Sequence, residues 1–90
     1  VQTVCTDHCS FNSSQKMMGE EDFAKTPCGM PGGEERRGLL YDFGVGTGRL
    51  TLQQMCAYLS ENQAKLYRLY PRKGALLPGS DADILCRSGR

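Results

Sequence analysis

Apolar and polar positions divide the chain into five stretches. Val and Thr fill four of the first six places, Val1 to Thr6. β-Branched side chains suit a pleated backbone, so this opening predicts a strand. Residues 7 to 33 hold no sustained period and carry Gly19, Pro27, Gly29, Pro31 and the pair Gly32-Gly33, the marks of a long loop. Met17, Met18, Phe23 and Met30 make it too apolar for a solvated tail, so it is expected to fold over something. Glu34 to Phe43 predicts a helix. Two glutamates suit its positive end, Leu39, Leu40 and Phe43 share a face, and Gly44, Gly46 and Gly48 end it. Thr51-Leu52-Gln53-Gln54 matches a capping box, and Leu52, Met55, Cys56 and Leu59 follow at the spacing of a buried helical stripe. Ser60-Glu61-Asn62-Gln63 repeats the box, and the stripe shifts there toward Ala64 and Tyr67. The shift predicts a second helix, stopped by Pro71. In "KGALLPGSDADIL" the turn signal Pro78-Gly79 separates two short apolar segments, which predicts two short strands.

Composition narrows the class. Ninety residues with a net charge of +1 allow at most one small domain and give no bias toward polyanions. The basic residues Arg68, Arg72 and Lys73 are too few for a nucleic-acid footprint. The five cysteines, at 5, 9, 28, 56 and 86, are odd in number and lack a framework spacing, so reduced thiols in the cytoplasm are the expectation. No run approaches membrane-spanning length, and no partner membrane is expected. The chain opens in one expected strand and closes in another, whereas domain boundaries fall in exposed linkers. It reads as a piece of a larger protein.

Candidate chemistry gathers at "VCTDHCSF". Cys5, His8 and Cys9 give C-x2-H-C, but a structural zinc site needs four ligands and no second knuckle follows, so a zinc finger is excluded. Asp7 stands at the end of the expected strand. Parallel barrels and doubly wound sheets collect their chemistry at strand C-termini, where a carboxylate binds a cation or moves a proton. An Asp after a strand is also an ordinary turn or N-cap residue, and pattern alone favours that reading. His8 is expected to be a hydrogen-bonded structural histidine, and Cys5 and Cys9 small buried side chains. "GVGTGRL" follows a helix and not a strand, so it reads as a helix-to-helix turn and not a phosphate cradle.

At "TDHCSF", "QKMMGEEDFAKTPCGMPGGEER" and "LYPRKGALLPGSDADI" the sequence resembles the C-terminal part of the dihydropyrimidinases and D-hydantoinases, cyclic-amide hydrolases of the amidohydrolase superfamily. The resemblance implies an α/β fold, a fragment of a (β/α)8 TIM barrel beside a β-sandwich. Val1 to Thr6 would be the last barrel strand, residues 8 to 33 a loop over the active-site mouth, and the helices would close the barrel. Residues 1–70 would thus end the barrel, and 71–90 would begin the return to the sandwich. Asp7 aligns with the aspartate of an "SDH" or "TDH" motif, which in the family ligates one of two zinc ions and passes a proton to the leaving nitrogen. The remaining ligands would come from earlier strands. "TPCG" stands where the family has an "IPNG"-like motif, so the main chain of Cys28 would bind the cyclic imide, although its side chain departs from the usual Asn. Gly33 replaces an apolar residue before Glu34, and "LCRSGR" departs from the family's continuation, which suggests a truncated or altered end. The implied parent is a cytoplasmic, zinc-dependent homotetramer. It opens a dihydropyrimidine or hydantoin ring, a small cyclic ureide or imide, to an N-carbamoyl amino acid. The alternatives are a dihydroorotase or allantoinase, against which "YPRKG" argues, and the noncatalytic scaffold relatives, which tend to lose the acid found here as Asp7.

Overall fold

The computed structural model describes residues 1–88. The chain falls into two compact units, one made of Val1–Val4 with the chain from Leu50 onward, the other of Cys5–Arg49. The expected division between residues 70 and 71 has both of its sides in the first of these.

In the Cys5–Arg49 unit, the long stretch expected to be irregular is partly helical. Helix α1 (Ser13–Lys16) starts at Asn12. The Asn12 Oδ1 accepts from the Gln15 N–H at 2.9 Å, and the Gln15 Oε1 accepts from the Asn12 N–H at 2.9 Å. This is a capping box written N-x-x-Q, which a search for Ser or Thr at the cap overlooks. Two 3-10 turns follow, Met17–Gly19 and Phe23–Lys25, the second capped by the Asp22 carboxylate. Gly19 lies against Thr26, where a Cβ would fall 1.7 Å from the hydroxyl oxygen.

The helix expected over residues 34–43 begins later and runs further. Helix α2 (Arg36–Leu39) widens into a π-turn, Leu40–Val45, that passes through the buried Gly44. A glycine ends a helix by turning left-handed. Gly46 keeps right-handed angles, and Gly48, at φ 74°, is the first glycine here to make that turn.

The other unit is built on one helical run. Helix α3 (Leu52–Cys56) starts at the expected box, with Gln54 N–H to Thr51 Oγ1 at 3.1 Å and Thr51 N–H to Gln54 Oε1 at 2.8 Å. It continues through a π-turn (Ala57–Glu61) into α4 (Asn62–Leu66) without a break. The second expected box does not form, because Ser60, its cap residue, lies inside the π-turn where a cap needs an extended backbone. The extra residue of the π-turn accounts for the shift in the apolar stripe. The run ends at Tyr67, ahead of the expected stop at Pro71. Arg68 takes φ 58°, and the bonds Leu69 N–H to Ala64 O (2.7 Å) and Arg68 N–H to Lys65 O (3.2 Å) complete a Schellman motif.

No strand forms among the described residues, which corrects the strands expected at both ends. A strand is defined by a ladder with a neighbour. Val4 instead donates to the Tyr58 carbonyl at 3.0 Å, and Asn62 Nδ2 donates to the Gln2 carbonyl at 2.6 Å. Gln63 Nε2 donates to the carbonyls of Val4 and Tyr58. The Pro78-Gly79 turn is present, with Ser80 N–H to Leu77 O at 3.0 Å and Gly79 at φ 90°, the type II pattern. Its flanks are joined by Asp81 N–H to Arg72 O (2.8 Å) and Ser80 Oγ to Pro71 O (2.7 Å), too few bonds for a ladder. Leu85–Ser88 are exposed without helix or strand, and the last two residues of "LCRSGR" lie outside the described residues.

Burial is sparse. Ala64 is the only buried large-to-small hydrophobic among the described residues. Phe23 is 88% exposed and Tyr67 71%. Cys5 and Cys9 are exposed, correcting the expectation that they fill a core.

Candidate functional site

The loop that leaves Asp7 returns beside it in the opposite direction. A Cβ on Gly32 would meet Thr6 at 3.4 Å, and Cys9 N–H donates to the Met30 carbonyl at 3.1 Å. His8 fixes the crossing. Its Nδ1 accepts the N–H groups of Gly32 (3.1 Å) and Gly33 (2.9 Å). A ring nitrogen that accepts carries no proton, so in the neutral ring the hydrogen resides on Nε2. The expected structural role of His8 is therefore found, and its partners are main-chain amides. A Cβ on Gly33 would lie 3.1 Å from Nδ1, a tight contact that the glycine relieves.

Asp7 sits between Thr6 and this pinned histidine with φ 50°, in the left-handed region. Asp enters that region more readily than most residues, yet such positions collect at functional sites. Its neighbour is held locally, His8 N–H to Thr6 Oγ1 at 3.2 Å. Asp7 itself is exposed, and its carboxylate has no hydrogen-bond or ion-pair partner among the described residues.

Cys28 lies on the returning arm, next to Gly29. Gly29 has φ 144°, and a Cβ there would fall 2.6 Å from the Cys9 carbonyl oxygen, so only glycine permits the close approach. The Cys28 thiol is exposed and reaches only the Thr26 carbonyl, at 3.8 Å. Lys16 was not a sequence candidate, but it belongs to this loop: Nζ donates to the carbonyls of Pro27 (2.5 Å) and Gly29 (2.8 Å).

As a metal site the described residues are incomplete. No three of their His, Cys, Asp or Glu side chains stand together as a cation would require. Asp7 fits as one oxygen ligand to a hard or borderline cation, and further donors would have to come from elsewhere. A hollow lined by Met17, Met18, Glu20, Glu21, Asp22 and Lys25 includes neither Asp7 nor Cys28. No helix among the described residues is long and apolar enough to cross a membrane.

The sequence and the fold are similar to those of known proteins. The chain is 47% identical to dihydropyrimidinase of Arabidopsis thaliana across 94% of its own length, and 44% identical to human dihydropyrimidinase-related protein 5 across 91%. Among solved structures, D-hydantoinase from Bacillus sp. AR9 superposes with a TM-score of 0.88 at 48% identity over 92% of the chain. No protein-family model matches. Over this stretch the chain belongs to the family of dihydropyrimidinases and D-hydantoinases, and it takes the fold of the corresponding part of a hydantoinase. It spans 16% of the length of the Arabidopsis protein and 18% of the Bacillus one.

Proposed function

We propose that this segment serves a longer, zinc-dependent cyclic-amide hydrolase built on a (β/α)8 barrel, which opens dihydropyrimidine or hydantoin rings to N-carbamoyl amino acids. The observation that carries the reading is Asp7: a partnerless carboxylate in a left-handed turn, beside a histidine that clamps the loop to it. In this reading Asp7 is a zinc ligand and the proton carrier. Zinc held there supplies Lewis-acid polarisation of the ring carbonyl. Asp7 takes the proton of the attacking water and delivers it to the ring nitrogen as the new C–O bond forms and the ring C–N bond breaks. The main chain of Cys28 holds the imide, a role that asks for a backbone path and tolerates the loss of the usual Asn. Five exposed free thiols suit a reducing compartment such as the cytoplasm.

The similarity to dihydropyrimidinase-related protein 5 makes a noncatalytic scaffold the rival, and Asp7 is the residue that argues against it. The test is turnover by the full-length protein, reconstituted with zinc, of dihydrouracil and of a 5-substituted hydantoin. The expected result is the N-carbamoyl product by mass spectrometry. Opening of dihydroorotate or allantoin alone would transfer the site to a sister enzyme. Full zinc loading with none of the four rings opened would make the protein a scaffold.

A further inference from the structure

Lys16 closes α1, and its part-buried ammonium bonds to main chain. Nζ donates to the Pro27 carbonyl at 2.5 Å and to the Gly29 carbonyl at 2.8 Å, bonds that span 11 and 13 residues of chain. The Phe11 ring stands with its centroid 5.0 Å from the same nitrogen. Charge-assisted bonds of this kind are among the stronger ones a loop can make, and a ring face adds a cation–π attraction.

The two carbonyls flank Cys28, and that has a geometric consequence. The Pro27 carbonyl and the Cys28 N–H belong to one peptide plane. The peptide is trans, since Tyr70-Pro71 holds the only cis bond among the described residues. In a trans peptide the C=O and N–H point in opposite directions. A cation that grips the Pro27 oxygen therefore turns the Cys28 N–H to the other side. That N–H has no acceptor among the described residues. The plane after Gly29 is gripped in the same way, and Gly29 lies so near Cys9 that a Cβ on it would fall 2.6 Å from the Cys9 carbonyl oxygen.

We infer that Lys16 is a positioning residue for the substrate loop: it holds the Pro27–Cys28 and Gly29–Met30 peptide planes so that the Cys28 N–H is presented as a free donor to a carbonyl oxygen of the cyclic imide. The inference rests on the reading of Cys28 given above. An ordinary loop-bracing lysine would make the same bonds, so the test must separate bracing from presentation.

The experiment compares the full-length protein with its Lys16→Met and Lys16→Arg variants. Lys16→Met raises KM for dihydrouracil at least tenfold and leaves kcat within threefold. Lys16→Arg recovers most of the KM, because a guanidinium also donates to two carbonyls. Amide hydrogen exchange at Cys9 and Thr26, whose N–H groups bond to the Met30 and Phe23 carbonyls, speeds up at least tenfold in Lys16→Met and stays near wild type in Lys16→Arg. A loss confined to kcat, or KM and exchange both unchanged, overturns the inference. If the wild-type protein opens no ring, the cyclic-amide reading falls and the inference falls with it, and faster exchange at Cys9 and Thr26 then shows loop bracing alone; ring opening with KM unchanged in Lys16→Met overturns the inference and leaves the reading standing. Should Lys16→Met not accumulate as folded protein, Lys16→Gln, which keeps one donor group on a shorter stem, is read by the same two measurements.

Discussion

Asp7, Arg68 and Gly74 each hold a left-handed backbone, at φ 50°, 58° and 76°, and their neighbours show why. Arg68 closes a Schellman motif, a place usually given to glycine. Gly74 is packed against the helical run. A Cβ on it would meet the Ala64 methyl at 2.6 Å and the Glu61 Cα at 3.1 Å. Gly74→Ala therefore combines a left-handed L-residue, about 1–2 kcal/mol, with a clash against the buried Ala64 side chain. The expected outcome is a loss of roughly 2 kcal/mol or more in denaturant unfolding of the full-length protein. A change near zero would show that this contact is absent there. At this scale the sequence was partly readable. Pattern alone gives Asp7 to a turn and His8 to a structural role, and the candidacy of Asp7 comes from the resemblance at "TDHCSF". Lys16 was not readable, because its partners are carbonyls 11 and 13 residues away, and a carbonyl leaves no mark in the side-chain pattern.

The elements were legible where the signal was local. Thr51 and Gln54 form their box because both partners lie within one turn. Ser60 fails as a cap because the helix can absorb one more residue as a π-turn and keep its bonds. The end segments could not be read from periodicity alone, since a strand depends on a partner supplied by other residues. The turn after the helical run gives a prediction of its own. Lys73 bonds to Asp83, and to Asp81 at 3.0 Å, with Arg72 3.8 Å from Asp81. The Lys73 hydrogen bond holds the Asp81 carboxyl below the ordinary aspartate range, and the bonds to Asp83 and Asp81 hold the Lys73 ammonium above the ordinary lysine range. For Asp81 the folded form binds its proton less readily than the unfolded form. Its contribution is present above the ordinary aspartate range and is lost as pH falls through the lowered value. For Lys73 it is present below the ordinary lysine value and lost as pH rises through the raised one. The groups are exposed, so salt weakens the tie. Carbon-detected NMR titration should place the Asp81 carboxyl lower in the wild type than in Lys73→Met. Coincident titrations would remove the tie.

At the scale of the whole molecule, the apolar side chains mark what the chain leaves uncovered. Met18, Phe23, Phe43, Leu66 and Tyr67 are all more than half exposed. Ordering a residue costs about 1–2 kcal/mol of backbone entropy, and one buried alanine offsets little of it. These 90 residues by themselves are expected to show partial helix by circular dichroism, centred on Leu52–Leu66, and a broad, weakly cooperative melt. A sharp transition in the isolated monomer would contradict this. The family was legible because its signature residues lie in the turn around Pro71–Asp81 and in the loop to Cys28, where close approaches and left-handed angles restrict the choice of residue.

The central claim is that Asp7 is both a metal ligand and the proton carrier. The most direct measurement is zinc content together with turnover of dihydrouracil for the full-length protein and its Asp7→Ala variant. The account predicts an unchanged fold, a loss of zinc from one site, and a fall in kcat of about 10²–10⁴-fold. Full zinc content with near-normal turnover in Asp7→Ala would contradict it.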